Sequence, residues 1–132
     1  MKTIFITIEK TSDGYSAYAE NTEGIYAMGD DIKEVKQSVL NAIETIKSLD
    51  TDSMPKILKG EYEILYKFDL QSLLNYYKGI MSFASLERIT GVNQKQLQHY
   101  STGHRKPRIE KRKEIETALH KFGHELLSVE LV

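Results

Sequence analysis

Hydrophobic and polar positions first repeat every two residues and then every three or four. Ile4, Ile6 and Ile8 fall on one side of an alternation whose other side is Phe5, Thr7 and Glu9, which predicts a strand over residues 2–10. Asp13-Gly14 marks a tight turn, because glycine takes a positive φ at no steric cost. Alternation resumes from Tyr15 to Glu20, with Tyr15, Ala17 and Ala19 on one face, and a third strand is predicted from Ile25 to Met28 between Gly24 and Gly29. These three read as an antiparallel meander. The period then changes: Ile32, Val35, Val39, Ile43 and Ile46 make one face of a helix. Asp31 with Glu34 has capping-box spacing, so that helix should begin near Asp31. Asp50-Thr51-Asp52-Ser53 and Pro55 make a polar connection, after which Tyr62, Ile64, Tyr66 and Phe68 alternate against Glu61, Glu63 and Lys67 as a fourth strand. The order β-β-β-α-β predicts an antiparallel sheet covered by one helix.

From Asp69 the pattern is helical with short connections. Leu70, Leu73, Leu74 and Tyr77 mark a helix stopped at Gly79, and Phe83, Leu86 and Ile89 mark a second stopped at Gly91. A third begins at Asn93, with Gln96 at the capping-box position and Leu97 and Tyr100 facing inward; Gly103 ends it, and Pro107 forbids a simple continuation. Ile115, Ala118, Leu119 and Phe122 mark a fourth, stopped at Gly123, and residues 126–131 alternate as a possible terminal strand. A lone strand needs a partner. Two partners are open to it, the same tail of a second subunit or the edge of the first domain's sheet, and we expect the first. The fold class expected is α+β, in two domains, residues 1–68 and 69–132.

Charge sharpens the division. Residues 1–68 hold 8 Lys and 12 acids, a net of −4, whereas residues 69–132 hold 10 Lys and Arg and 7 acids, a net of +3. The basic half suits a polyanion, whose counterions it would release. Its most specific segment is residues 83–108: an amphipathic helix ending at a glycine, Val92 in the turn, and a capped second helix, the layout of a helix-turn-helix. No acid occurs between Asn93 and Arg108. Asn93, Gln94, Lys95, Gln98, His99 and Thr102 are the candidate base-reading residues, since amides pair with adenine and lysine with guanine. Arg105, Lys106 and Arg108 are placed to meet phosphates. One short helix reads few base pairs, so a homodimer or higher even oligomer on a palindromic operator is expected.

Other chemistry finds little support in the sequence. With no cysteine, thiol catalysis, disulfides and cysteine-ligated metals are excluded. The first strand carries no acid before Glu9, so no carboxylate set for two-metal cleavage is expected, and we assign no catalytic residue, metal or cofactor. Glu116, His120 and His124 recur every four residues, but the expected helix stop at Gly123 would separate them. The longest apolar run is the four residues Ile25–Met28, and no apolar stretch follows Met1, so no membrane association and a cytoplasmic location are expected.

The segment 83–108 resembles the repressor-type helix-turn-helix family, with Leu86, Gly91, Val92, Leu97, Gly103 and Pro107 at its pattern positions, Asn93 in place of its usual Ser, and Glu87 where it usually has Ala. The chain also resembles the HicB antitoxin family over roughly residues 2–48 and 69–110. The residues that carry this are Asp13-Gly14-Tyr15, the loop Glu20-Asn21-Thr22-Glu23-Gly24, and Gly29-Asp30-Asp31-Ile32-Lys33-Glu34, followed by the helix-turn-helix. The resemblance implies a reduced ribonuclease-H-like first domain that neutralises a HicA-like, mRNA-cleaving toxin, and a second domain that represses the operon's own promoter. The acidity of the first half suits a basic partner, with Glu20, Glu23 and Tyr26 as candidate contacts. The alternative is a stand-alone DNA-binding regulator whose first domain senses a ligand or dimerises; a residual nuclease is a third.

Overall fold

Strand β1 (Lys2–Lys10) forms where the isoleucine alternation predicts it, and Ile4, Ile6 and Ile8 are buried. The computed structural model describes residues 1–49 and 52–132, so Asp50 and Thr51 of the polar connection lie outside the described residues. β1 pairs antiparallel with β2 (Tyr15–Ala19), which pairs antiparallel with β3 (Tyr26–Gly29), the expected meander. Helix α1 (Ile32–Lys47) follows and buries Ile32, Val35, Val39 and Ile43. After a short 3₁₀ turn (Lys56–Lys59) comes β4 (Tyr62–Lys67). Among the described residues the sheet has four strands in the order β3-β2-β1-β4.

One expectation about this sheet fails. β4 runs parallel to β1, with Ile4 opposite Ile64 and Ile6 opposite Tyr66, so the sheet is mixed. Alternation specifies which residues of a strand face the core but is blind to strand direction. Direction is set by the α1 crossover, the kind of connection that parallel neighbours require. α1 lies on the Tyr62 and Tyr66 side of β4, with the ammonium groups of Lys47 and Lys36 4.8 Å from those ring centres.

α1 is joined tightly to β3. Asp31 Oδ1 accepts from the Glu34 amide at 2.8 Å, while Glu34 Oε2 accepts from the Asp30 amide at 2.8 Å, one residue earlier than in a standard capping box. The close approach is made at Gly29, where a Cβ would fall 2.8 Å from both Glu34 Cβ and Val35 N. Because one obstacle is backbone, Gly29→Ala is expected to destabilise the fold by roughly 1–3 kcal/mol. Urea unfolding with unchanged slope and a lowered midpoint is the expected readout, and an unshifted midpoint would contradict this packing.

The chain divides into two units, Met1–Asp69 and Leu70–Val132. The second contains α2 (Leu70–Tyr77), α3 (Phe83–Thr90), α4 (Gln94–Thr102) and α5 (Ile109–Leu127). Leu70, Leu74, Leu86, Val92, Leu97, Tyr100 and Ile115 form its core.

The tail differs from expectation. α5 does not stop at Gly123 but runs to Leu127, and no strand forms over residues 126–131 among the described residues. A single interior glycine costs a helix only about 1 kcal/mol relative to alanine. The helix stops instead at Ser128, whose amide bonds back to the Glu125 and Leu126 carbonyls and whose hydroxyl donates to the His124 carbonyl at 3.1 Å. Leu126 and Leu127 belong to α5, so the expected strand over residues 126–131 does not form and the intersubunit strand built on it is withdrawn.

Candidate nucleic-acid interface

The segment from Ser82 to Gly103 is held at three points. Ser82 Oγ caps α3 by accepting from the Ser85 amide at 3.0 Å. Gly91 then takes φ +76°, a left-handed angle that L side chains resist, and its amide donates to the Glu87 carbonyl at 2.7 Å. Val92 is buried beyond it and anchors the turn. Its amide donates to Thr90 Oγ1 at 3.2 Å, while that buried hydroxyl donates to the Leu86 carbonyl at 2.7 Å. The second left-handed glycine, Gly103 (φ +80°), closes α4.

The first turn of α4 has two caps from different parts of the chain. Asn93 Oδ1 accepts from the Lys95 amide at 2.8 Å, and Glu87 Oε1 accepts from the Gln94 amide at the same distance. Asn93 is therefore a cap, as expected. Gln96 does not complete a capping box; its Nε2 donates to the Tyr100 hydroxyl at 2.6 Å. Glu87, the departure from the repressor-type pattern, supplies the second cap from within α3. No local rule pairs residues seven apart across a turn, so only the folded arrangement reveals this role. At the other end, Asn75 Nδ2 of α2 donates to the Ser101 carbonyl at 2.7 Å and holds the last turn of α4.

Leu97 and Tyr100 are buried, so the opposite face of α4 is fixed in orientation. Gln94, Lys95, Gln98 and Thr102 are exposed on it, and His99 is half-buried. The structure adds His104, whose ring meets that of His99 edge-on at 4.9 Å between centres. His104 lies past the helix stop at Gly103, where helical periodicity gives no reason to choose it. Partial burial, and then His104, Arg105 and Lys95, hold the His99 imidazole below its usual range, favouring the neutral ring. A neutral imidazole can both donate and accept a hydrogen bond. Arg105, Lys106 and Arg108 are exposed and line one cleft of about 380 Å³ with Gln96, Tyr100, Lys111 and the carboxylates Glu110 and Glu114.

The candidate partner residues in the first unit are placed less uniformly. Glu23 and Tyr26 are exposed, Tyr26 at 74%. Glu20 is engaged within the unit: its carboxylate accepts from the Thr7 hydroxyl and from Lys67 Nζ at 2.9 Å. Those two groups, Thr7 foremost, hold its carboxyl below the usual carboxylate range. Around them the sheet face opposite α1 exposes Tyr18, Met28 and Leu65 beside Tyr26. Sequence reasoning missed these three. Only the sheet order and register place Tyr18, Met28 and Leu65 on a common surface with Tyr26.

Since α5 is continuous, Glu116, His120 and His124 lie on successive turns after all, yet among the described residues no group of three His, Asp or Glu side chains forms a metal set. No helix among the described residues is long and apolar enough to cross a membrane. Comparison with family models, with curated proteins and with solved structures returned no match.

Proposed function

We propose that the chain is a two-module antitoxin-type regulator. Its second unit binds operator DNA through α4, and its first unit binds a basic protein partner, an mRNA-cleaving toxin of the HicA kind. The observation that carries the DNA reading is the exposed face of α4. It presents amides, a lysine and a histidine without an acid, on a helix whose opposite side is locked by buried Leu97 and Tyr100. Amides and lysine read base edges in the major groove, and Arg105, Lys106 and Arg108 supply phosphate contacts that set register.

Partner binding rests on the acidity of the first half and its resemblance to the HicB family. Because Glu20 is engaged by Thr7 and Lys67, Glu23 and Tyr26 are the contacts retained, joined by Tyr18 and Met28 on the same open sheet face. Co-purification with the product of an adjacent reading frame tests this, and Tyr26→Ala should weaken the complex.

The DNA reading is tested by selecting duplexes from a random pool and measuring binding by fluorescence anisotropy. Gln94→Ala and Lys95→Ala are each expected to cost roughly 1–3 kcal/mol on the selected duplex and to relax preference at one position. Arg105→Ala should weaken all duplexes alike and flatten the salt dependence. A folded Gln94/Lys95 double variant that binds the selected duplex like the parent would remove α4 from the interface.

A further inference from the structure

Lys95 and His99 are four residues apart and so share one face of α4, the face opposite buried Leu97. Lys95 stands exposed there, whereas the His99 ring is half-buried. The ring packed against it comes from beyond the helix stop. Gly103, at φ +80°, turns the backbone back on the last turn of α4. The His99 carbonyl accepts from the Thr102 hydroxyl at 3.2 Å and from the Arg105 amide at 3.3 Å, and the His104 amide donates to Thr102 Oγ1 at 3.4 Å. His104 is thus tied to α4 through its own amide and that of the next residue. Its ring meets His99 at 4.9 Å between centres with 62° between the planes, the edge-on geometry that adjacent aromatic rings favour.

The charges around His99 are of one sign. Lys95 lies one turn earlier, and His104 and Arg105 lie beyond Gly103. No acid occurs between Asn93 and Arg108. Helix α2, which reaches α4 through Asn75, carries no Asp, Glu, Lys, Arg or His. Glu87 of α3 is engaged at the other end of α4 by the Gln94 amide, and Glu110 and Glu114 of α5 line the Gln96 and Tyr100 side. Charging both imidazoles at their separation is unfavourable, so a proton on His99 competes with one on His104.

We propose that His104 is a positioning residue for His99, and that the pair makes base choice at one operator position depend on protonation. The proposal rests on the DNA reading. A neutral His99 offers one donor and one acceptor, whereas the charged ring offers two donors and no acceptor. In the major groove adenine presents an acceptor and a donor, N7 and N6, and guanine presents two acceptors, N7 and O6. Protonation therefore moves the preference of this residue from adenine toward guanine.

The test uses the full chain and two rhodamine-labelled duplexes that differ only at the position where His99→Ala relaxes preference, one with guanine there and one with adenine. Anisotropy is measured across the usual histidine range, from about pH 7.5 to about pH 5.5. The guanine-to-adenine affinity ratio should rise by at least about fivefold on acidification, the low end of what one base contact is worth. The ratio cancels the general gain in positive charge from the other histidines. His99→Gln, which keeps a donor and an acceptor but does not titrate, should bind with a ratio that is flat with pH. His104→Asn removes both a positive neighbour and cover from His99, so the ratio should turn at higher pH. The imidazole resonances of His99 in the free protein should show the same upward move. A parent ratio that is flat with pH, a His99→Gln ratio that still rises, or a turning point unmoved by His104→Asn overturns the proposal and leaves the DNA reading standing. If no duplex is selected at either pH, the DNA reading falls and the proposal falls with it.

Discussion

Leu97→Ala is expected to remove roughly 2–5 kcal/mol of stability from the second unit and to abolish duplex binding with it. Leu97 is 0% exposed and packs in the cluster that also holds Leu86, Val92 and Tyr100. It therefore joins α3, the turn and α4 at one point. Truncation leaves a cavity that the short helices cannot close without moving α4. Stability for folds of this size is small, on the order of 3–9 kcal/mol at the usual value per residue, so a loss in this range removes a large share of it. One residue away, Gln98 is exposed. Gln98→Ala should change stability by no more than about 0.5 kcal/mol while altering base preference. Thermal melts followed by circular dichroism, with anisotropy on the same samples, separate the two effects. A Leu97→Ala protein that melts with the parent would show that α4 is not held through this core.

Removing β4 should have a larger effect on the first unit. A fragment of residues 1–52 is expected to be unfolded, whereas a fragment of residues 1–69 folds. β4 pairs with β1 along Lys2–Thr7, so its loss turns the central strand into an unpaired edge and removes the ladder partner of Ile4 and Ile6. The shorter fragment also loses Leu58, a buried member of the core. What remains is a three-stranded meander with one helix and an incomplete apolar face, too little to offset the entropy of ordering the chain. Amide proton spectra decide the matter. Dispersed resonances from residues 1–52 would mean that β1, β2, β3 and α1 suffice.

Much of the architecture is legible from residue order because the relevant physics is local. The isoleucine alternation in β1, the three-and-four spacing in α1, the Asp31 cap and the Gly91-Val92-Asn93 turn each depend on neighbours within about one helical turn or one hairpin. Each recurs in the structure within a residue or two. The exposed residues of α4 follow from the same logic, since burying Leu97 and Tyr100 leaves Gln94, Lys95, Gln98 and Thr102 outside.

Other features depend on groups far apart in sequence or on competition between weak preferences. The parallel direction of β4 comes from a helix crossover, and alternation looks the same in either direction. Glu87 caps α4 across a turn, and His104 reaches His99 from beyond the helix end, pairings that no periodicity encodes. Glu20 looks like a free surface acid until β1 and β4 bring Thr7 and Lys67 to it. At Gly123 a small helix penalty competes with the gain from continuing α5, and the continued helix wins. Residue order by itself determined which side chains lie on which face of each element, because that follows from the 2.0 and 3.6 residue periods of the backbone. The tertiary structure alone decided how those faces are assembled, because strand direction, caps between elements and ion pairs are free energies of meeting partners that chain neighbours cannot supply.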